Sequence, residues 1–224
     1  MSEPKPVLEA LSYSLCARSD ATIFPIVNRY SFLTDTYSTE RQKILGVWAM
    51  FKDEEMPWRP QPRARSVHEQ MVHQCVSEDY WMKMFLVIDL GEPPLPALET
   101  RLEFMKKYAA SSLAREDRLR TMPESWFEEN APFFDVVRSR AWILMRRIAH
   151  SAHHRGQLTT YLRVRGHVLY STYGPTADTG GLFQNGARVV YQYPDVETLL
   201  ESEARGGVQP PLPGSGPKPP TERP

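Results

Sequence analysis

Residues 146–166 read "RRIAHSAHHRGQLTTYLRVRG", and the way this stretch folds decides the class of the chain. It carries His150, His153 and His154, three of the six histidines present. The pattern predicts the end of a long helix from about Phe134 to Arg165, with Gly166 as the residue that closes it. On a helix, His150 and His154 stand one turn apart and about 40° apart on one face. Ile143, Arg147, Gln157 and Tyr161 share that face. Two imidazoles so placed can converge on one ion. His153 lies about 100° from His154 and is a poorer partner for this pair. The H-x-x-x-H spacing alone is a weak signal, because two solvated imidazoles satisfy it equally well. Ser151 follows His150 where a zinc protease would carry glutamate, so H-E-x-x-H chemistry is excluded.

Outward from this stretch the chain reads as helical. Residues 25–52 carry Phe32, Leu33, Ile44, Leu45, Trp48 and Phe51 at helical spacing. "SVHE", residues 66–69, is an S-x-x-E capping box that predicts a helix to about Leu86. A third helix is expected over 96–121. A short one is expected near 195–204, with Asp195 as its N-cap. Gly156 in mid-helix costs on the order of 1 kcal/mol relative to alanine, which points to a packing or access role or to a tolerated defect. The expected fold is all-α, a four-helix bundle with a loop-rich C-terminal extension. The expected organisation is a weakly patterned segment over 1–24, the bundle domain over 25–205, and a Pro/Gly-rich flexible tail over 206–224.

Composition narrows the function. The 224 residues include 27 basic and 27 acidic side chains, for a formal charge of zero. That balance gives no electrostatic footprint for nucleic acid or for an anionic membrane. No apolar run is long enough to span a bilayer, and the N-terminus has no secretory pattern. Cys16 and Cys75 form neither a disulfide framework nor a Cys-rich metal site, which fits a reducing cytoplasm.

A two-histidine site needs a third ligand. His73 sits on the capped second helix, which is apolar nearly all round and therefore expected to be buried. A buried histidine is hydrogen-bonded, paired or metal-bound. A core histidine satisfied by a carbonyl and a third metal ligand both fit. His68 and His167 read as surface residues. In "YGPTADTGG", Asp178 and Tyr173 are weak candidates for catalytic acid/base work, beside the reading of a packed cover loop.

"HSAHHRGQLTTYLRVRG", preceded by "RARSVHEQMVHQ", resembles the DinB/YfiT-like family of damage-inducible metal-binding bundles, over roughly residues 27–205. "YGPTADTGGL" matches one subgroup. The resemblance implies an up-down-down-up bundle and a divalent metal held by His73, His150 and His154. Zinc is the first expectation, with nickel, manganese and iron compatible with imidazole. The resemblance also implies a thiol-dependent S-transferase or related hydrolase acting on a small molecule, with bacillithiol or mycothiol as the thiol, and a homodimer. The alternatives are a non-catalytic metal-binding stress-response protein and a metal that only staples two helices.

Overall fold

A computed structural model of the chain describes residues 28–216. The segment expected over 1–24 and the last part of the expected tail, 217–224, lie outside the described residues. Four long helices dominate: α1 (Ser31–Ala49), α2 (Val67–Leu86), α3 (Arg101–Arg120) and α5 (Arg140–Val164). The short α4 (Glu124–Glu128) and a hairpin of β1 (Asn130–Phe133) and β2 (Val136–Ser139) precede α5, and α6 (Val196–Ala204) follows it. The long helices close a ring in which α1 packs on α3 and α5, and α2 packs on the same two. α6 lies against α1 and α3.

Local chemistry explains most of the boundaries. Ser66 Oγ accepts from the Glu69 N–H, and a Glu69 carboxylate oxygen accepts from the Ser66 N–H, so the capping box forms as its spacing predicts. Gly166, at φ +80°, ends α5 in the left-handed region that glycine enters freely. Asp195 caps α6 by accepting from the Thr198 N–H at 2.7 Å. Two expectations need correction. The last long helix does not begin at Phe134. Residues 130–139 form an antiparallel hairpin in which Phe133 faces Val136 across a two-residue turn. Phe134 takes φ +52° in that turn, and Ser139 Oγ caps the helix that follows by accepting from the Trp142 N–H. Val136 and Val137 favour this extended form.

Nor do residues 206–216 hang free as composition suggests. Tyr170 donates its hydroxyl to the Pro210 carbonyl. The Val208 N–H donates to Tyr193 Oη at 3.1 Å, and the Gly214 N–H to the Asp178 carbonyl at 2.9 Å. Leu212 packs on the core. A few backbone bonds and one apolar anchor are enough to hold a Pro/Gly-rich strip against a surface that already exists.

The bundle core is split into two apolar clusters. One gathers Trp48, Met71, Phe104 and Leu158, the other Leu33, Met82, Phe127 and Leu144. Charged side chains lie buried between the helices as well. Glu78 of α2 has no exposed surface. Its carboxylate accepts from Tyr37 of α1 at 2.6 Å, Tyr108 of α3 at 2.9 Å, Arg115 of α3 at 3.4 Å and Arg147 of α5 at 3.5 Å. Burial and the adjoining Glu78 carboxylate push both tyrosines well above their ordinary range, so both keep the protons they donate.

Glu78→Gln leaves Arg115 and Arg147 buried without their shared carboxylate. Urea unfolding should show a loss of about 3–5 kcal/mol; a loss under about 1 kcal/mol would mean that water already serves these groups. Gly156 is exposed, and a Cβ there would meet nothing within 4 Å. No packing reason holds it, so Gly156→Ala should raise stability by up to about 1 kcal/mol in the same assay.

Candidate metal centre

His73 comes from the second turn of α2, and His150 and His154 from successive turns of α5. The α2–α5 contact brings their Nε2 atoms together. His73 Nε2 is 3.0 Å from His154 Nε2, and His154 Nε2 is 3.2 Å from His150 Nε2. His154 is buried, while His73 and His150 are half-buried. The three form a group able to hold a metal ion, each offering one ligand nitrogen. Donors about 2.0–2.1 Å from one zinc ion stand roughly 3.3 Å apart at tetrahedral angles and about 2.9 Å apart at right angles. The observed spacing falls in that range, so the residues fit a divalent ion.

The surroundings keep the rings neutral. Burial, then the guanidinium of Arg147 and the other imidazoles, pull His150 from 6.5 to about 3. Burial, followed by Arg65 and Arg147, lowers His73 to about 4. Burial and then His73 lower His154 to about 4, against a hydrogen bond to the Gln157 amide oxygen that acts the other way. Neutral imidazole is the form that ligates metals. His150 also stacks on Trp81, with ring centroids 5.4 Å apart and planes 28° apart.

On the two α5 histidines the ring nitrogens facing away from the centre have partners too. Arg147 Nη1 lies 3.1 Å from His150 Nδ1 and 3.0 Å from Ser77 Oγ. His154 Nδ1 lies 2.9 Å from Gln157 Oε1. On the His73 side a cleft of about 440 Å³ is lined by Arg65, His68, Val72, Val76 and Glu99, a volume that suits a small ligand. His68 Nε2 contacts Glu99 at 2.6 Å.

The remaining histidines do not join the group. His153 sets its ring edge-on to His154, with centroids 5.0 Å apart, but it is exposed and its Nε2 meets Gln157, and His167 bonds the buried Glu55 at 2.7 Å. Asp178 and Tyr173 are not brought to the imidazoles. Asp178 accepts from the Leu169 N–H at 2.7 Å and pairs with Arg163, nine residues or about 13 Å along the helix from His154. Tyr173 is 82% exposed, with Lys43 and Arg155 over its ring. The 174–181 segment is an ordered loop, fixed by bonds among Thr176, Thr179 and Leu169. Cys75 is buried and its thiol is pushed up to about 12, which leaves it inert as a nucleophile. Sequence reasoning did not single out Glu78, Arg115 or Tyr37, and gave Arg147 and Gln157 only a shared face with His150. Their spacing of three from a candidate ligand, Arg147 before His150 and Gln157 after His154, was the available signal.

Fold and site together define a helical bundle with an interior three-histidine group. The model of the DinB family matches residues 31–182, and the chain belongs to that family. Among solved structures it is similar to a DinB-like protein from Bacillus cereus, at 22% identity and TM-score 0.52, covering 64% of this chain and 93% of that one. It is also similar to a DinB-like protein from Bacillus subtilis, at 15% identity and TM-score 0.50, over 61% and 93%. At these identities the likeness speaks for the fold alone. Comparison with curated proteins gives no match. Among the described residues no helix is long and apolar enough to cross a membrane.

Each of the three rings has a folded pKa below its unfolded one, so on acidification the unfolded chain takes up protons first. The stability they contribute is whole above about pH 6.5 and is lost as pH falls toward 4 and then 3. The melting temperature of metal-free protein should fall across that window, and less steeply in His150→Asn. Equal slopes in the two proteins would count against neutral, buried rings.

Proposed function

We propose that this chain is a divalent-metal protein that uses His73, His150 and His154 to hold the ion, and that it acts as a thiol-dependent S-transferase or related hydrolase on a small electrophile. The observation that carries the reading is the convergence of three neutral Nε2 atoms beside an open cleft. A divalent ion on three imidazoles keeps positions open and lowers the pKa of a coordinated water or thiol. Zinc leads on donor type; nickel, manganese and iron share the preference for imidazole. Bacillithiol and mycothiol are the thiols this reading favours.

The chain's own groups do the rest. Arg65 is exposed at the cleft and close enough to depress His73, so it can hold an anionic part of a substrate. His68, tied to Glu99, is the non-ligand imidazole in the cleft and can carry a proton there. Trp81 covers one face of His150 and limits water on that side. A homodimer in the cytoplasm belongs to the same proposal; sedimentation tests the assembly.

Metal analysis after reconstitution should find one divalent ion per wild-type chain and in His153→Ala, and little in His73→Ala or His154→Ala. Full retention in both ligand variants would refute this ligand set. Wild-type protein should then turn over a low-molecular-weight thiol with an electrophile. Metal binding with no turnover across a thiol panel would instead favour a non-catalytic metal-binding protein.

A further inference from the structure

Arg147 gives direction to a hydrogen-bond series that runs through the imidazoles. A guanidinium has donors and no acceptor. Its Nη1 lies 3.1 Å from His150 Nδ1, so that nitrogen accepts and the neutral ring carries its proton on Nε2. His150 Nε2 lies 3.2 Å from His154 Nε2. The first donates, the second accepts. A neutral His154 then holds its proton on Nδ1, aimed at Gln157 Oε1 at 2.9 Å. The same oxygen accepts from Gln70 Nε2 of α2 at 3.0 Å, and the Gln157 amide nitrogen donates to His153 Nε2 at 3.0 Å. Each of these contacts has one donor and one acceptor when read this way; His73 Nε2, 3.0 Å from His154 Nε2, faces the same lone pair, so His73 and His150 both leave that nitrogen as the acceptor. Turning the Gln157 amide over would set its NH2 against the Nδ1–H of His154. Gln70 and His154 are 2% and 3% exposed, so bulk water is poorly placed to replace the bond.

We infer that Gln157, braced by Gln70 across the α2–α5 interface, is the positioning residue of His154, holding its proton on Nδ1 and its Nε2 lone pair toward the centre of the three-histidine group. His154 is thereby the ring already set to ligate, whereas His150 starts in the opposite tautomer and must give up its Nε2 proton. The tautomer assignment concerns the metal-free chain and stands apart from the proposed activity. Only the affinity arm below rests on the metal reading.

The test is long-range proton–nitrogen NMR of the imidazoles in 15N-labelled, metal-free protein near neutral pH. His154 should be the Nδ1–H form and His150 the Nε2–H form. Gln157→Glu keeps an acceptor and should preserve the His154 form; in Gln157→Leu only the contacts at Nε2 are left to hold it, so an Nε2–H population should appear, and Gln70→Leu should produce a smaller one. Cobalt(II) titration should show affinity about 10–100-fold lower in Gln157→Leu and restored in Gln157→Glu. An Nε2–H His154 in the wild type, or an unchanged tautomer in Gln157→Leu, would overturn the inference. If the wild type binds no cobalt, the metal reading fails, and the NMR result still decides the role of Gln157.

Discussion

A carboxylate with no exposed surface has to be matched from every side, and Glu78 imposes that condition on the whole bundle. Its partners come one helix at a time: Tyr37 from α1, Tyr108 and Arg115 from α3, Arg147 from α5. A shift of one helix along its axis would leave a buried charge or hydroxyl unmatched, a heavier penalty than a lost apolar contact of the same size. Arg147 then extends the constraint to the histidines, because its other nitrogen holds His150 and Ser77. The placement of α5 against α2, on which the imidazole group depends, is therefore tied to the polar centre of the bundle. Greasy packing alone tolerates sliding more readily.

How much of this is legible in the sequence depends on the range of the forces involved. The capping box at Ser66, the stop at Gly166 and the cap at Asp195 are local chemistry, and all three form as read. The pairing of His150 with His154 is helix geometry; His73 is expected on a helix buried nearly all round, but α2 exposes Val76, Tyr80 and Met84 and His73 is half-buried, so apolar content alone does not place it. The Glu78 partners lie 30 to 69 residues away along the chain, where no periodicity points to them. The hairpin before α5 is not legible, because "FFDVV" suits a helix by its apolar content and a strand by its branching. The turn at Phe134 needs a positive φ that phenylalanine rarely adopts.

Family membership and chemistry rest on different observations. The match over residues 31–182 and the similar bundles from two Bacillus species establish the architecture. What this chain does with that architecture turns on a few side chains that the fold does not dictate: three imidazoles kept neutral by burial, an arginine and an amide at their outer nitrogens, and a cleft with mixed charge alongside. Asp178, attractive by its place in a glycine-rich motif, proves to be a fastener. It ties the 174–181 loop to the Leu169 amide and to Arg163.

The strip over 206–216 redraws the edge of the folding unit. The family region closes at residue 182, yet Tyr193 and Leu199 belong to the core, and Tyr170, Tyr193 and Asp178 are bridged to Pro210, Val208 and Gly214. A fragment cut to the family boundaries would open one apolar cluster to solvent on its α1–α3 side, where α6 otherwise lies.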